Sequence, residues 1–157
     1  MIDSALFKQS MSLFASGITV ITWQGDNPID GITVSAFASL SLNPPLVLFC
    51  IDRNAYAYPL MCEQSHFGVN ILSDKQKDLA YQFAGANRQG LESFINRDNP
   101  HNIPTLNSTL VSLTVRVRDR ITQGDHDIFI AEVQTSHLNR ELKPLLYHQS
   151  QLFSLND

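Results

Sequence analysis

The chain has 157 residues, 43% hydrophobic and 17% charged, with a formal net charge of -4, a length that suits one domain, residues 1–157, able to bury about 70% of its unfolded surface. The negative balance, with no basic run denser than Arg116, Arg118 and Arg120, excludes nucleic acid as an expected partner, and no apolar run reaches the roughly 18 to 20 residues of a membrane span. Met1-Ile2-Asp3-Ser4 lacks the basic flank and apolar core of a signal peptide, so the expected location is cytoplasmic, and the small stock of charge leaves surface for a partner subunit.

Asp3 is placed to cap a first helix whose apolar residues Leu6, Phe7, Met11 and Phe14 recur at helical spacing, with Gly17 at its end. Such a face is expected to pack on something. The β-branched run Ile18 to Thr22 reads as a strand, Gly25-Asp26-Asn27-Pro28 as a turn and Ile32 to Ser35 as the next strand. A further extended piece, Ala38 to Leu42, leads into Asn43-Pro44-Pro45, and Leu46 to Ile51 reads as a fully apolar, central strand.

Pro59 costs least in a first helical turn, so the helix within Ala55 to Glu63 begins after Ala55. His66 to Leu72 is another strand. Ser73-Asp74-Lys75-Gln76 has the pattern of a capping box opening a helix with Leu79, Ala80 and Phe83 on one face and Gly85 at its close. From Ala86 to Thr105 the chain is polar and reads as a long loop bordering a site. Leu110 to Ile121 alternates Leu113, Val115 and Val117 with Thr114, Arg116 and Arg118, which predicts one buried and one solvated face. Gly124-Asp125 reverses the chain, and Ile128 to Val133 returns as the hairpin partner. Cys50 and Cys62 have no CxxC or metal-like spacing and are expected to be free, buried thiols, and the histidines show no ligand spacing. About seven strands with two or three helices outside favour a closed or partly closed antiparallel barrel, which hides its edges.

Phe14-Ala15-Ser16-Gly17-Ile18-Thr19-Val20, Gly31-Ile32-Thr33-Val34-Ser35-Ala36-Phe37, Asn43-Pro44-Pro45-Leu46-Val47, Phe67-Gly68-Val69-Asn70-Ile71-Leu72, Gly124-Asp125-His126 and Pro144-Leu145-Leu146-Tyr147 stand in this order along nearly the whole chain. In that order and spacing they resemble the flavin reductase-like, FMN-binding split-barrel family. The resemblance implies a mainly β fold, a six-stranded antiparallel split β-barrel with two or three peripheral helices, assembled as a homodimer. It further implies reduction of FMN or FAD by NADH or NADPH, with reduced flavin passing to a separate flavin-dependent oxygenase.

Carried over residue by residue, Thr33, Val34, Ser35 and Ala36 match the strand that lies along the flavin, where small side chains permit close approach. Taken alone they are simply good strand formers. Cys50, Asp52, Arg53, Asn54 and Ala55 match the loop at the sugar and phosphate end, where Arg53 suits a phosphate; the plain alternative is a solvated loop with Asn54 as a helix cap. Phe83 and Ala84 match a position near the flavin, although Phe83 also suits the core. Tyr147 falls in the matching C-terminal motif. His126 is the expected catalytic residue, matching a position near the hydride-transfer site, where an imidazole hydrogen-bonds the nicotinamide cofactor or tunes local charge. This chain departs from the family in placing Ser93 before Phe94, where many relatives have a basic residue, and in His148-Gln149-Ser150 after Tyr147. Those departures motivate a rival reading as a non-catalytic FMN-binding carrier, store or sensor. Two further rivals are a split-barrel oxidase with resident FMN and an interaction protein without flavin.

Overall fold

A computed structural model describes residues 2–25, 29–85 and 90–155. The expected turn at Asp26-Asn27-Pro28 and the first part of the expected long loop, residues 86–89, lie outside the described residues. In chain order the elements are α1 (Ser4–Ser12), β1 (Ser16–Gly17), β2 (Thr19–Trp23), β3 (Asp30–Val34), β4 (Phe37–Leu42), β5 (Pro45–Asp52), α2 (Tyr58–Cys62), β6 (His66–Ile71), α3 (Lys77–Ala84), β7 (Ile95–Asn96), β8 (Thr105–Leu106), β9 (Val111–Gln123), β10 (His126–Leu138), β11 (Leu145–His148) and β12 (Gln151–Ser154). No helix is long and apolar enough to cross a membrane among the described residues.

Seven strands form one antiparallel sheet in the order β3-β2-β6-β9-β10-β5-β4, one strand more than the six expected. Its two outermost strands, β3 and β4, are consecutive in the chain and separated only by Ser35 and Ala36. A link that short forces the ends of the sheet together, so the sheet curls into a barrel with its seam at Ser35-Ala36. One residue before β4, the Ala36 carbonyl accepts the Cys50 N–H at 3.0 Å, which carries the β4–β5 ladder into the link, and β3 there comes into contact with β5.

The barrel interior is filled by aromatic rings. Phe49 stacks on Phe129 with centroids 5.2 Å apart, Phe67 stands edge-on to both, and Trp23 meets Phe67 at 6.2 Å. A second apolar cluster, including Val20, Leu72, Leu79, Ala80 and Phe83, lies between β2 and α3. Strand β2 is buried at every position because Ile21 and Trp23 face the barrel interior while Val20 faces this second cluster.

Local signals act as the sequence predicts at several ends. The Asp3 carboxylate accepts the N–H groups of Ala5 and Leu6 at the start of α1. Ser73 and Gln76 form the capping box, here on a 3-10 turn, Asp74–Gln76, that leads into α3, and Gly85 caps that helix. Pro59 sits in the first turn of α2. Gln123 pairs with His126, so Gly124-Asp125 is a two-residue hairpin loop, and Gly124 has the positive φ, 63°, that such turns require.

Four expectations are corrected. Gly17 does not end α1, which stops at Ser12; it lies in β1, paired with Leu146. Among the described residues nothing buries the apolar side of α1: the helix has no buried residue, and Leu6, Phe7, Met11 and Phe14 are all more than half exposed. Strand β5 is next to the sheet's end, between β10 and β4, and only Val47, Phe49 and Ile51 enter the core, while Leu46, Leu48 and Cys50 are half-buried on the other face. On β9, Ser112 and Thr114 are buried along with Leu113 and Val115, because part of the expected loop pairs as β7 and β8 and packs over β6 and β9. The Thr114 hydroxyl is satisfied there by that of Thr135 at 2.7 Å.

Candidate active site

Two hollows, of about 370 and 230 Å³, meet at Ser35, Ala36 and Cys50 and together make one groove along the barrel seam. The larger is mostly apolar, walled by Met11 and Phe14 near the end of α1, by Phe37 and Leu48, and by Tyr147. The smaller is lined by Thr33, Val34, Asp52, Ala55 and His126. The location follows from the strand pattern. Alternate residues of β5 fill the core, so the intervening Leu48 and Cys50 face outward, and the groove covers them.

Each wall is fixed by its own contacts. The Thr33 hydroxyl donates to the Ala80 carbonyl at 2.7 Å, tying β3 to α3. After β5, the Asp52 carboxylate accepts the Asn54 N–H at 2.8 Å and the Asn54 side-chain amide at 3.1 Å, and the Ala55 N–H donates to the Asp52 carbonyl at 3.0 Å. This turn is docked on the β9–β10 hairpin by the Arg53 N–H, which donates to the Asp125 carbonyl at 2.9 Å. His126 Nδ1 lies 2.7 Å from the Asp125 carboxylate, leaving the Nε2 edge of the ring for a ligand. That hydrogen bond is the largest reason the Asp125 carboxyl is held below its ordinary range. Burial pushes the Cys50 thiol up, so at neutral pH it is an uncharged, weakly nucleophilic part of the wall.

Residues 11–156 match the family model for the flavin reductase like domain. The chain belongs to the flavin reductase-like family. It is 34% identical over 148 residues to the reductase component of a 4-nitrophenol 4-monooxygenase/4-nitrocatechol 2-monooxygenase from Rhodococcus opacus, covering 94% of this chain and 79% of that protein. It is 30% identical over 145 residues to an FMN reductase (NADH), SmoA, from Agrobacterium fabrum, covering 92% of this chain and 82% of that protein. Among solved structures, flavin reductase PheA2 in its native state superposes with a TM-score of 0.89 at 32% identity, covering 99% of this chain and all of the other.

Within this flavin reductase fold, the structure brings Thr33, Val34, Ser35, Ala36, Cys50, Asp52, Ala55 and His126 around the smaller hollow and Tyr147 onto the wall of the larger one. It does not bring Phe83 or Ala84 there, and Arg53 and Asn54, in the turn after Asp52, line neither hollow. Phe83 is fully buried in the second core cluster, so close beneath β3 that a Cβ on Gly31 would stand 2.9 Å from its ring, and Ala84 is exposed at the end of α3. Asn54 does not cap α2, whose N-cap is Ala57; its amide is folded back on Asp52. Ser93 is exposed in a 3-10 turn, Glu92–Phe94, and Gln149 and Ser150 form the turn between β11 and β12 with φ of 49° and 62°. Cys50 and Cys62 are free thiols, half-buried rather than buried.

The groove suits a flavin on chemical grounds. A small-residue floor and an apolar wall accept a flat ring, while Thr33, Asp52 and His126 supply polar groups at one end.

Sequence reasoning missed the polar cluster behind that end. Asp127 is 1% exposed, yet it is a carboxylate. It accepts the Tyr58 hydroxyl at 2.7 Å and the Thr122 hydroxyl at 2.8 Å, and the Nε atoms of Arg120 and Arg53 lie 3.4 and 3.9 Å away. A signal was present: on β10, Asp127 shares parity with Phe129 and Ala131, so alternation alone puts a charge on the core face.

The Tyr58 hydroxyl is the main group holding the Asp127 carboxyl below its ordinary value, assisted by Thr122, Arg120 and Arg53 against the opposing effect of burial; the same hydrogen bond raises Tyr58. Asp127 therefore contributes stability fully above the unfolded carboxyl value of about 3.9 and loses it as pH falls through the lowered folded value. Tyr58 contributes below its ordinary value of about 10 and loses its share as pH rises through the raised one. Thermal melts should show Asp127→Asn less stable than the unmodified protein at pH 7, with the gap narrowing as the pH drops below about 4. A gap that stays constant down to pH 2 would show that Asp127 is not ionised in the fold.

Proposed function

We propose that this protein is a flavin reductase that moves hydride from a nicotinamide nucleotide, NADH or NADPH, to FMN or FAD and delivers the reduced flavin to a separate flavin-dependent monooxygenase. The carrying observation is the seam groove, small-floored and apolar on one side with polar groups on the other, in a chain 34% identical to the reductase component of a monooxygenase. When bound, flavin supplies the two-electron acceptor for hydride from the nicotinamide ring.

The chain's own part is placement, since hydride transfer depends on bringing donor carbon and acceptor nitrogen to roughly 3 to 3.5 Å. Val34, Ser35 and Ala36 form the floor on which a ring can lie flat. Leu48, Phe37 and Tyr147 keep water from one side. The Nε2 edge of His126 would hydrogen-bond a ligand in the groove, with Asp125 fixing its orientation. Arg53, in the turn that follows Asp52, is the residue assigned to the flavin phosphate. Residues 1–157 act as one domain, and the exposed apolar side of α1, with Leu40 and Leu42 on β4, is the surface through which two copies pair as a homodimer.

The test is to mix the protein anaerobically with FMN or FAD and each nicotinamide nucleotide and follow the visible flavin band. Bleaching well above the protein-free rate is the expected result. Tight flavin binding without bleaching would instead make the protein a carrier or sensor of flavin.

A further inference from the structure

A third hollow, of about 260 Å³, lies on the outer face of the barrel, away from the seam groove. Its floor is strand surface, where Ser112 and Thr114 of β9 stand opposite His137 and Thr135 of β10. Ser112 and Thr114 face outward because Leu113 and Val115, at the alternate positions, enter the core. The roof is the segment from Asn96 to Pro100, with Thr105 beside it. At about 3.3 Å per residue, the hollow stands roughly 30 Å along β10 from His126 in the groove.

Hydrogen bonds fix the roof over the floor. The Thr105 hydroxyl donates to the Asn96 carbonyl at 3.1 Å, and the Leu106 N–H donates to the Asn70 side chain at 2.7 Å, tying β8 to β6. Within the roof, the Asn96 side chain accepts the Asp98 N–H at 2.7 Å. The Asn99 side chain donates to the Ile103 carbonyl at 2.7 Å and accepts the Ile103 N–H at 3.0 Å. Walls tied in this way hold the hollow's shape before a ligand arrives, which lowers the cost of binding.

The chemistry of the lining is that of hydroxyl groups. Ser112 is 9% exposed, and its hydroxyl has no hydrogen-bond partner among the described residues, although a buried polar group left unpaired is costly. The Thr114 and Thr135 hydroxyls share one hydrogen bond, which leaves one hydrogen of the pair to donate outward. The volume is about eight times the roughly 30 Å³ share of a water molecule, more than one serine needs, and lies below the roughly 300 to 1,000 Å³ of pockets for drug-sized molecules. An apolar guest would strand Ser112, and an anion would meet the Asp98 carboxylate. A hydroxyl both donates and accepts, so it matches serine and threonine with neither side left unpaired.

We propose that the hollow between the β7–β8 ribbon and the β9–β10 strands is a second binding site, for a small neutral polyhydroxylated molecule of monosaccharide size. The site shares no lining residue with the seam groove, so it stands apart from the flavin reading.

The experiment titrates the unmodified protein with glucose and with ribose and follows backbone amide NMR spectra. Cyclohexanol, a ring of similar size with a single hydroxyl, is the control. At least one sugar should give saturable shifts centred on the hollow, around Asn96, Ser112 and Thr135, and cyclohexanol should give none. Ser112→Ala should weaken sugar binding roughly five-fold, the size of one net hydrogen bond. Thr135→Val, which keeps the side-chain shape, should weaken it by a smaller factor and decides the matter if Ser112→Ala does not fold. Neither substitution should alter flavin affinity, read by fluorescence quenching on the same samples. Absence of saturable shifts with both sugars, shifts centred elsewhere, equal binding of cyclohexanol, or unchanged sugar affinity in both variants would overturn the proposal and leave the hollow to water. Failure to bind flavin would overturn only the reading of the groove.

Discussion

Ala36→Trp is expected to lower flavin affinity and kcat/KM about 100-fold, equivalent to about 2.7 kcal/mol, while leaving the melting temperature of the ligand-free protein where it was. The two halves of the expectation come from different features of one position. Ala36 belongs to both hollows and to the seam, so an indole there fills the junction where the groove must accept a flat ring. Its side chain is exposed, and the hydrogen bond that fixes its backbone to β5 runs through its carbonyl, which accepts the Cys50 N–H whatever the side chain. Flavin titration, steady-state kinetics and a thermal melt check the three quantities. Unchanged affinity would mean that flavin binds elsewhere, and a large loss of stability would mean that the seam is packed more tightly than the exposure of Ala36 implies.

The strands were legible wherever one physical cause set the residue pattern. On β2, the β-branched run marked the element correctly, and for β10 the Gly124-Asp125 reversal after β9 did the same. Reading failed where a residue's surroundings come from distant chain. Strand β5 looked central because it is apolar at successive positions, but one of its faces is core and the other is the groove wall. Ser112 and Thr114 looked solvated because nothing near them in sequence announces the β7–β8 ribbon that covers them. The periodicity of α1 revealed an apolar face without revealing that none of the described residues buries it.

The groove shows the same division. Composition and spacing alone would have left Thr33, Ser35 and Ala36 as ordinary strand residues; family resemblance singled them out, and the closed seam explains why they share a surface with Cys50 and His126. Phe83 and Ala84 came from that resemblance too, and the fold puts one in the core and the other on the surface outside the groove. Asp127 was overlooked because attention fell on the turn motif before it, although its parity on β10 already marked it as buried.

Phe49→Ala is expected to cost about 3 to 5 kcal/mol, a large share of the roughly 5 to 15 kcal/mol available to a domain of this kind. Phe49 is fully buried and touches both Phe129 and Phe67, with centroids 5.2 and 5.8 Å away, so truncation leaves a void bounded by rigid rings and strand backbones that relax only in part. Urea unfolding measures the cost directly. The more informative measurement repeats it with FMN at about 100 times its dissociation constant, where binding should add about 2.7 kcal/mol. Phe49 points inward and its neighbour Cys50 points to the groove, so the increment should be the same in Phe49→Ala as in the unmodified protein, and nearly absent in Ala36→Trp. An increment that shrinks in Phe49→Ala would mean that the core holds the groove wall in shape, and that core packing and flavin binding are coupled through β5.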